Sequence, residues 1–396
     1  MSAGKHVIGR LTAAALLLAV LLAGCREASA AVQREEQAPV AVQKEEQPSV
    51  QMVEQEHIKQ EVQSISSGNY AYECLNETEQ ELYDLILNGI LTFQEKIELP
   101  VVEVEDIERA YHGINCDYGG LFWVNGYTYT IYTQGEAVIG LEFAPSYTMD
   151  SEQKQQYQAQ IDQVVDEWLQ GISIHDSDYD KAKYVFDNLI QRVDYRTDAP
   201  ENQNILSVFL YGETVCQGYA CATQYLMRHL GIPCIVVTGT ARNEAHAWNI
   251  VLLDGQYYHM DTTWGNSRYL NQDQQENKYI DYNFMCMTDQ ELERTHKLDM
   301  EIDMPACTSM ENNYFVHEGC YFDSWVPEEI GQLIYQSREE GRESVMIKCS
   351  DDTLYQQMVE YFIKDQHIVD YCPELMQIYY MENPEFCELT INFHQQ

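Results

Sequence analysis

The sequence of 396 residues predicts an α+β protein, on three observations. Apolar side chains recur at helical spacing in several separate stretches, as in Leu82, Leu85, Ile86, Ile90 and Phe93. Runs of β-branched and aromatic residues are split by Asn125-Gly126, Gln134-Gly135 and Asp254-Gly255, which are turn signals. One stretch, Gly212 to Gly265, joins a helix directly to a hairpin, and the rest of the chain is organised around it.

The chain opens as an export signal. Lys5, His6 and Arg10 make a basic start, and Leu11 to Ala23 is an apolar run too short to span a membrane as a stable helix. It ends in Leu22-Ala23-Gly24-Cys25, which resembles the lipobox of bacterial lipoproteins. That resemblance implies a mature chain that starts at a lipidated Cys25 and sits outside the cytoplasm, anchored to the bacterial cell membrane. Residues 26–68 are expected to be a disordered acidic tether. AVQREEQAPV at 31–40 is nearly repeated as AVQKEEQPSV at 41–50, with too few apolar side chains to build a core. Such a flexible segment reaches about 35 Å, enough to lift a folded unit off the membrane.

The remainder, about 325 residues, is long enough for one large core with an appended unit. It divides by pattern into an N-terminal α+β region (69–175), a central core (176–304) and a small C-terminal α+β unit (305–396). Helices are expected over 76–98 and 106–112. Strands follow around Asn125-Gly126 and Gln134-Gly135, then two more amphipathic helices over 151–169 and 178–193. The aromatic run Phe122, Trp123, Tyr127, Tyr129 and Tyr132 is expected in the core and on the strand surface.

In the central stretch Thr214 and Gln217 have capping-box spacing, which predicts Thr214 as N-cap and Cys216 at the second helical position. Gly231-Ile232-Pro233 stops the helix. A thiol in a first helical turn is surrounded by free backbone N–H groups and the positive end of the helix dipole, which favour the nucleophilic thiolate. With Asp254-Gly255 as a two-residue turn, Leu253 pairs with Gln256, Trp248 faces Asp261 and His246 faces Thr263. His246 and Asp261 then lie on one face as diagonal neighbours, about 7–8 Å apart at the backbone. In this layout a carboxylate holds one imidazole nitrogen while the other faces a thiol. Cys221, five residues on, is read as a small buried hydrophobe. Zinc on Cys216, His246, His259 and Asp261 is the other chemistry these residue types allow, but no C-x-x-C or H-x-x-x-H spacing supports it.

Val215-Cys216-Gln217-Gly218-Tyr219-Ala220, Leu230-Gly231-Ile232-Pro233, Gly239, His246-Ala247-Trp248-Asn249 and Asp261-Thr262-Thr263-Trp264 together resemble the core of the transglutaminase-like superfamily. The resemblance covers roughly residues 180–270 and implies a papain-like α+β core with Cys216, His246 and Asp261 as its catalytic residues. In the animal protein-crosslinking members a Trp follows the catalytic Cys. Gln217 stands there in this chain, so hydrolysis is at least as open as crosslinking.

Downstream, residues 265–277 are expected as a loop beside the site, 279–287 as a strand, and Thr288 as the cap of a short helix. His296 is read as structural. The C-terminal unit is expected to hold a strand pair over 314–321, helices over 327–337 and 352–364, a strand over 345–348 and final strands near Ile378 and Leu389. The net charge is −41, near −43 after loss of Lys5 and Arg10, which repels nucleic acid and anionic lipid. No D-x-D-x-D-G calcium loop is present. Of the twelve cysteines most are expected as free, buried thiols.

These readings converge on a monomeric, surface-anchored cysteine enzyme that needs no cofactor or metal and acts on amide bonds of proteins or peptides, as a peptidase or amidase or by acyl transfer. Gln203 is the candidate side-chain oxyanion donor, and Gln217, Trp248 and Trp264 are expected at the site wall. The alternative is a non-catalytic lipoprotein that uses the same fold as a binding or scaffold module at the cell envelope.

Overall fold

Asn76 starts the first long helix for a local reason. Its side chain accepts from the N–H groups of Thr78 and Glu79 while Glu79 accepts from the Asn76 N–H, so α1 (Glu77–Leu91) begins with a capping box. The helix ends well before residue 98. Thr92 donates its hydroxyl back to the Asn88 carbonyl, Phe93 turns left-handed at φ 56°, and Ile97–Leu99 becomes a strand, β3. The computed structural model describes residues 3–12, 36–37, 69–266, 280–299, 301–373 and 379–393. Cys25, residues 13–24 of the expected export signal, and the expected tether apart from Glu36–Gln37 lie outside them.

The protein is α+β. Ala3–Thr12 (β1) and Glu36–Gln37 (β2) join β3, β4 (Val124–Gln134) and β5 (Ala137–Tyr147) in one sheet of order β2-β1-β4-β5-β3. Asn125-Gly126 is an irregularity inside β4 rather than a turn: the register to β5 shifts between Val124 and Tyr127, and Gly126 takes φ 136°. Gly135, at φ 65°, makes the actual β4–β5 turn. The second helix, α2, runs over Val104–Asp117, longer than its apolar stripe suggested. Then come α3 (Ser151–Trp168), begun by an Asp150 capping box, and α4 (Asp178–Arg192), capped by Ser177.

The central sheet has the order β10-β9-β8-β11, from β8 (Cys234–Ala241), β9 (Glu244–Leu253), β10 (Gln256–Met260) and β11 (His296–Leu298). Helix α5 (Cys216–His229) packs on its face, preceded by the parallel two-residue strands β6 (Asp194–Tyr195) and β7 (Glu213–Thr214). Buried amides tie helix to sheet. Asn249 Nδ2 donates to the carbonyls of Ala220 (3.0 Å) and Ile235 (3.2 Å), and Gln224 Nε2 to those of Cys116 (2.6 Å) and Cys234 (2.9 Å). The backbone of α5 is thus held at fixed height over β8 and β9.

One apolar core runs through residues 71–307 and takes in Phe122, Trp123, Tyr127 and Tyr129, so the region 69–175 shares its interior with the central sheet. A second core, over 330–391, belongs to the C-terminal unit. There β12 (Tyr321–Phe322), β13 (Ser344–Cys349), β14 (Tyr379–Asn383) and β15 (Glu388–Asn392) form a sheet of order β12-β13-β15-β14 beside α6 (Pro327–Glu339) and α7 (Asp352–Val359). Tyr314–His317 is a helical turn, not a strand, and Glu360–Lys364 winds on from α7 as a π-turn. Residues 280–287 are also not a strand: a 3₁₀ turn at Tyr282–Phe284 leads to one bridge between Met287 and His259. Among the described residues no helix is long and apolar enough to cross a membrane, and ten of the described cysteines, Cys216 and Cys221 among them, are free thiols.

Candidate active site

Val215, in extended conformation, is the N-cap of α5, so Cys216 is its first helical residue rather than its second. The Thr214–Gln217 capping box does not form. Thr214 is committed to β7, where its hydroxyl donates to the Asn202 carbonyl (2.9 Å) and lies 2.6 Å from Ser207 Oγ. Gln217 Nε2 turns away to Cys221 Sγ, 3.4 Å. Gly218 is required by this packing, because a Cβ there would stand 1.9 Å from Thr214 Oγ1. The N–H groups of the first turn, Cys216 among them, have no intrahelical acceptor and point outward from the helix start.

The hairpin has the register that its Asp254-Gly255 turn demands. Gln256 pairs with Leu253 and Met260 with Asn249, while Asp254 (φ 49°) and Gly255 (φ 79°) both take left-handed backbone. Asp261 follows β10 directly, and its N–H donates to the Phe284 carbonyl at 2.9 Å. His246 Nε2 donates to Asp261 Oδ2 at 2.8 Å, and the Cys216 thiol lies near enough to the same imidazole to raise its proton affinity. Exposure falls along the series, 8 % for Cys216, 4 % for His246 and 0 % for Asp261, so solvent meets the sulfur first. Burial alone would favour neutral His246. The Asp261 charge and hydrogen bond, with the adjoining Cys216 sulfur, outweigh it and push the imidazole up to about 10. For Asp261 burial is likewise outweighed, by His246 and then His296, which hold the carboxyl well below its usual range.

Residues 166–262 match the model of the Transglutaminase-like superfamily. The chain contains a transglutaminase-like domain. The mouse (Mus musculus) protein named Kyphoscoliosis peptidase is 24 % identical over 107 residues, covering 23 % of this chain and 16 % of that protein. A crystal structure of a TGase is 12 % identical and covers 39 % of this chain and 47 % of its own, at TM-score 0.27. The periplasmic domain of TgpA from Pseudomonas aeruginosa is 14 % identical over 37 % of this chain and 74 % of its own, at TM-score 0.22. The chain therefore spans a small part of the mouse relative and about half of the TGase chain.

Gln203, Trp248, Trp264 and His259 each have definite partners. Gln203 Nε2 donates to Asn202 Oδ1 at 3.2 Å. Trp248 and Trp264 pack against His246, at 6.0 Å between ring centroids in each case, and are buried at 1 % and 3 % exposure. His259 is apart from the thiol, beyond Trp248: the indole Nε1–H donates to His259 Nδ1 (3.2 Å) and His259 Nε2 meets Asp289 Oδ1 (2.9 Å).

His296 is the residue that the sequence reading undervalued. Its side chain is buried, and Nε2 meets Asp261 Oδ2 at 3.1 Å, the oxygen that His246 uses. No local pattern marks it, since β11 is three residues long and meets β8 only through tertiary pairing. Two clusters among the described residues, His246–Asp261–His296 and His259–Asp289–Cys307, bring possible metal-ligand atoms within 4.8 Å of one another. In the second, Trp248 can only donate, so the neutral His259 ring keeps its proton on Nε2 and has no lone pair there for a metal. In the first, one carboxylate oxygen faces two imidazole nitrogens as a shared acceptor. Two cavities, of about 440 and 330 Å³, lie apart from Cys216, one lined by Arg228, Ile232 and Tyr257, the other by Asp289, Arg294 and Cys307.

Proposed function

We propose that the protein is a cysteine-dependent enzyme that cleaves or transfers acyl groups at amide bonds of proteins or peptides. The observation that carries this reading is the imidazole of His246, held by buried Asp261 at 2.8 Å and with the Cys216 thiol at the start of α5 beside it. Cys216 attacks the amide carbonyl. His246 takes the thiol proton and returns it to the leaving amine, and Asp261 orients the ring through Nε2. The Cys216 N–H at the start of α5 supplies one oxyanion donor. Water then releases the acyl group, or an amine accepts it; Gln217 at the position after the thiol favours neither route. We further propose export and lipid attachment at Cys25, on the strength of the basic start, the short apolar run and Leu22-Ala23-Gly24-Cys25. On that reading β1 belongs to the precursor and its partner edge on β4 is freed on maturation.

The test is the pH dependence of Cys216 alkylation by iodoacetamide, read by peptide mass spectrometry. Rapid labelling below neutral pH in the wild type, lost in His246→Ala, is the expected result. Peptide or amine-transfer turnover should fall by about 10³-fold or more in Cys216→Ala. Labelling at the rate of an ordinary thiol and indifferent to His246 would sink the enzyme reading and leave a scaffold.

A further inference from the structure

Asp261 is bonded on every side. Oδ1 accepts the N–H groups of Thr263 (2.9 Å) and Trp264 (3.1 Å), and Oδ2 accepts from His246 Nε2 (2.8 Å) and His296 Nε2 (3.1 Å). A carboxylate has about four lone-pair sites, so no further donor fits. Two imidazoles therefore compete for one oxygen. His246 gains in proton affinity from whatever charge that oxygen offers, and a second N–H on the same oxygen reduces the offer.

The surroundings show that His296 is held there by design of the fold. Its ring sits among Trp248 (5.1 Å), Trp264 (4.8 Å) and His246 (5.3 Å), between centroids. Thr295 Oγ1, 2.6 Å from Nδ1, can donate there and leave the ring proton on Nε2, aimed at Asp261. Gly239 opens the way for β11, since a Cβ at 239 would lie 2.1 Å from the Lys297 carbonyl oxygen. A histidine that only filled core volume would need neither a hydroxyl fixing its tautomer nor a neighbouring strand without side chain.

We propose that His296 is a positioning residue that acts through Asp261: by sharing Oδ2 it limits how tightly the carboxylate holds the protonated His246, so that the proton can be passed on to the leaving group. This rests on the cysteine-enzyme reading above. The charged and titratable groups that face His246 are Cys216 from α5, Asp261 after β10 and His296 from β11. Arg242 stacks over Trp264 at 5.0 Å, and His259 with Asp289 lies behind Trp248. Of these groups only His296 is replaced in the variants below, and Thr295→Val replaces none of them.

The probe is iodoacetamide on the full chain, with the Cys216 labelling rate followed across the acid and alkaline range. The upper inflection of that profile reports loss of the His246 proton, whatever the natural substrate. His296→Phe keeps a ring and removes the donor; its upper inflection is expected to move upward by roughly half a unit or more. His296→Gln restores an N–H near the Nε2 position and should match wild type. Thr295→Val removes the tautomer-fixing hydroxyl and should shift the inflection in the same direction by less, which decides the matter if His296→Phe does not fold. An inflection that stays in place in His296→Phe and Thr295→Val, or moves as far in His296→Gln as in His296→Phe, overturns the inference while leaving the enzyme reading intact. A wild-type profile with no inflection dependent on His246 removes both.

Discussion

Asp261 gathers more of the chemistry than the residue that would perform it. Asp261→Asn puts an NH₂ group at one of the two oxygen positions; whichever is replaced, an acceptor for the backbone N–H pair or for the two imidazoles is lost. We expect turnover to fall by roughly 10²–10⁴-fold, as when a triad carboxylate is neutralised with its geometry kept. Rapid labelling of Cys216 at acid pH should vanish as well. Stability should respond with a definite sign. The folded His246 value, about 10, lies above its ordinary 6.5, so this group's contribution is full below about 6.5 and is lost as pH climbs towards 10. Asp261 is shifted downward, so its contribution is present above its ordinary 3.8 and fades only in acid. Thermal melts of Asp261→Asn against wild type should differ most between these limits, and the gap should narrow in acid and, by the His246 part alone, as pH climbs towards 10.

The strands and helix around the site depend on two missing side chains. Gly218 lets the first turn of α5 lie on Thr214, and Gly239 lets β11 approach β8. Gly239→Val should push β11 outward, because its Cβ would meet the Lys297 carbonyl oxygen and, at 2.9 Å, the Trp248 ring. The expected outcome is a folded core with His296 withdrawn from Asp261. That predicts the raised upper inflection of His296→Phe together with a lower melting temperature, by calorimetry and alkylation on one sample. Local signals explain why these elements were legible before the fold was seen. The Asp254-Gly255 turn sets its own hairpin register, and Asn76 and Asp150 cap their helices through neighbours three residues away. Thr214 does not cap the helix because Asn202 and Ser207, in the segment just upstream of α5 and beyond the reach of a capping pattern, engage its hydroxyl.

The C-terminal unit meets the central core through a buried charge. Lys348, 2 % exposed, reaches from β13 to Glu291 Oε1 (2.7 Å) and Asn283 Oδ1 (3.1 Å) and lies over the rings of Phe315 and Phe386. Glu388 on β15 is buried near the same lysine, and burial above all pushes it up to about 8. A carboxyl shifted upward binds its proton more readily folded than unfolded, so stability falls as pH rises from about 4.5 to about 8. Glu388→Gln should leave the melting temperature near pH 5 unchanged and raise it at pH 8 and above, as measured by calorimetry across that range.

What the sequence determined by itself is the set of features written in neighbours. These are the helix and strand classes, the Asp254-Gly255 hairpin that brings His246 and Asp261 to one side, and the placing of Cys216 at a helix start. Each follows from periodicity, turn chemistry or capping, which act over a few residues. Only the tertiary structure decided which oxygens and nitrogens meet. It set His296 on Asp261, bonded the Gln203 amide to Asn202 and the Gln217 amide to Cys221, packed Trp248 and Trp264 on the imidazole, and joined the region 69–175 to the central core. The His296–Asp261 contact and the shared core link segments tens of residues apart, and burial is a property of the packed whole that no local pattern carries.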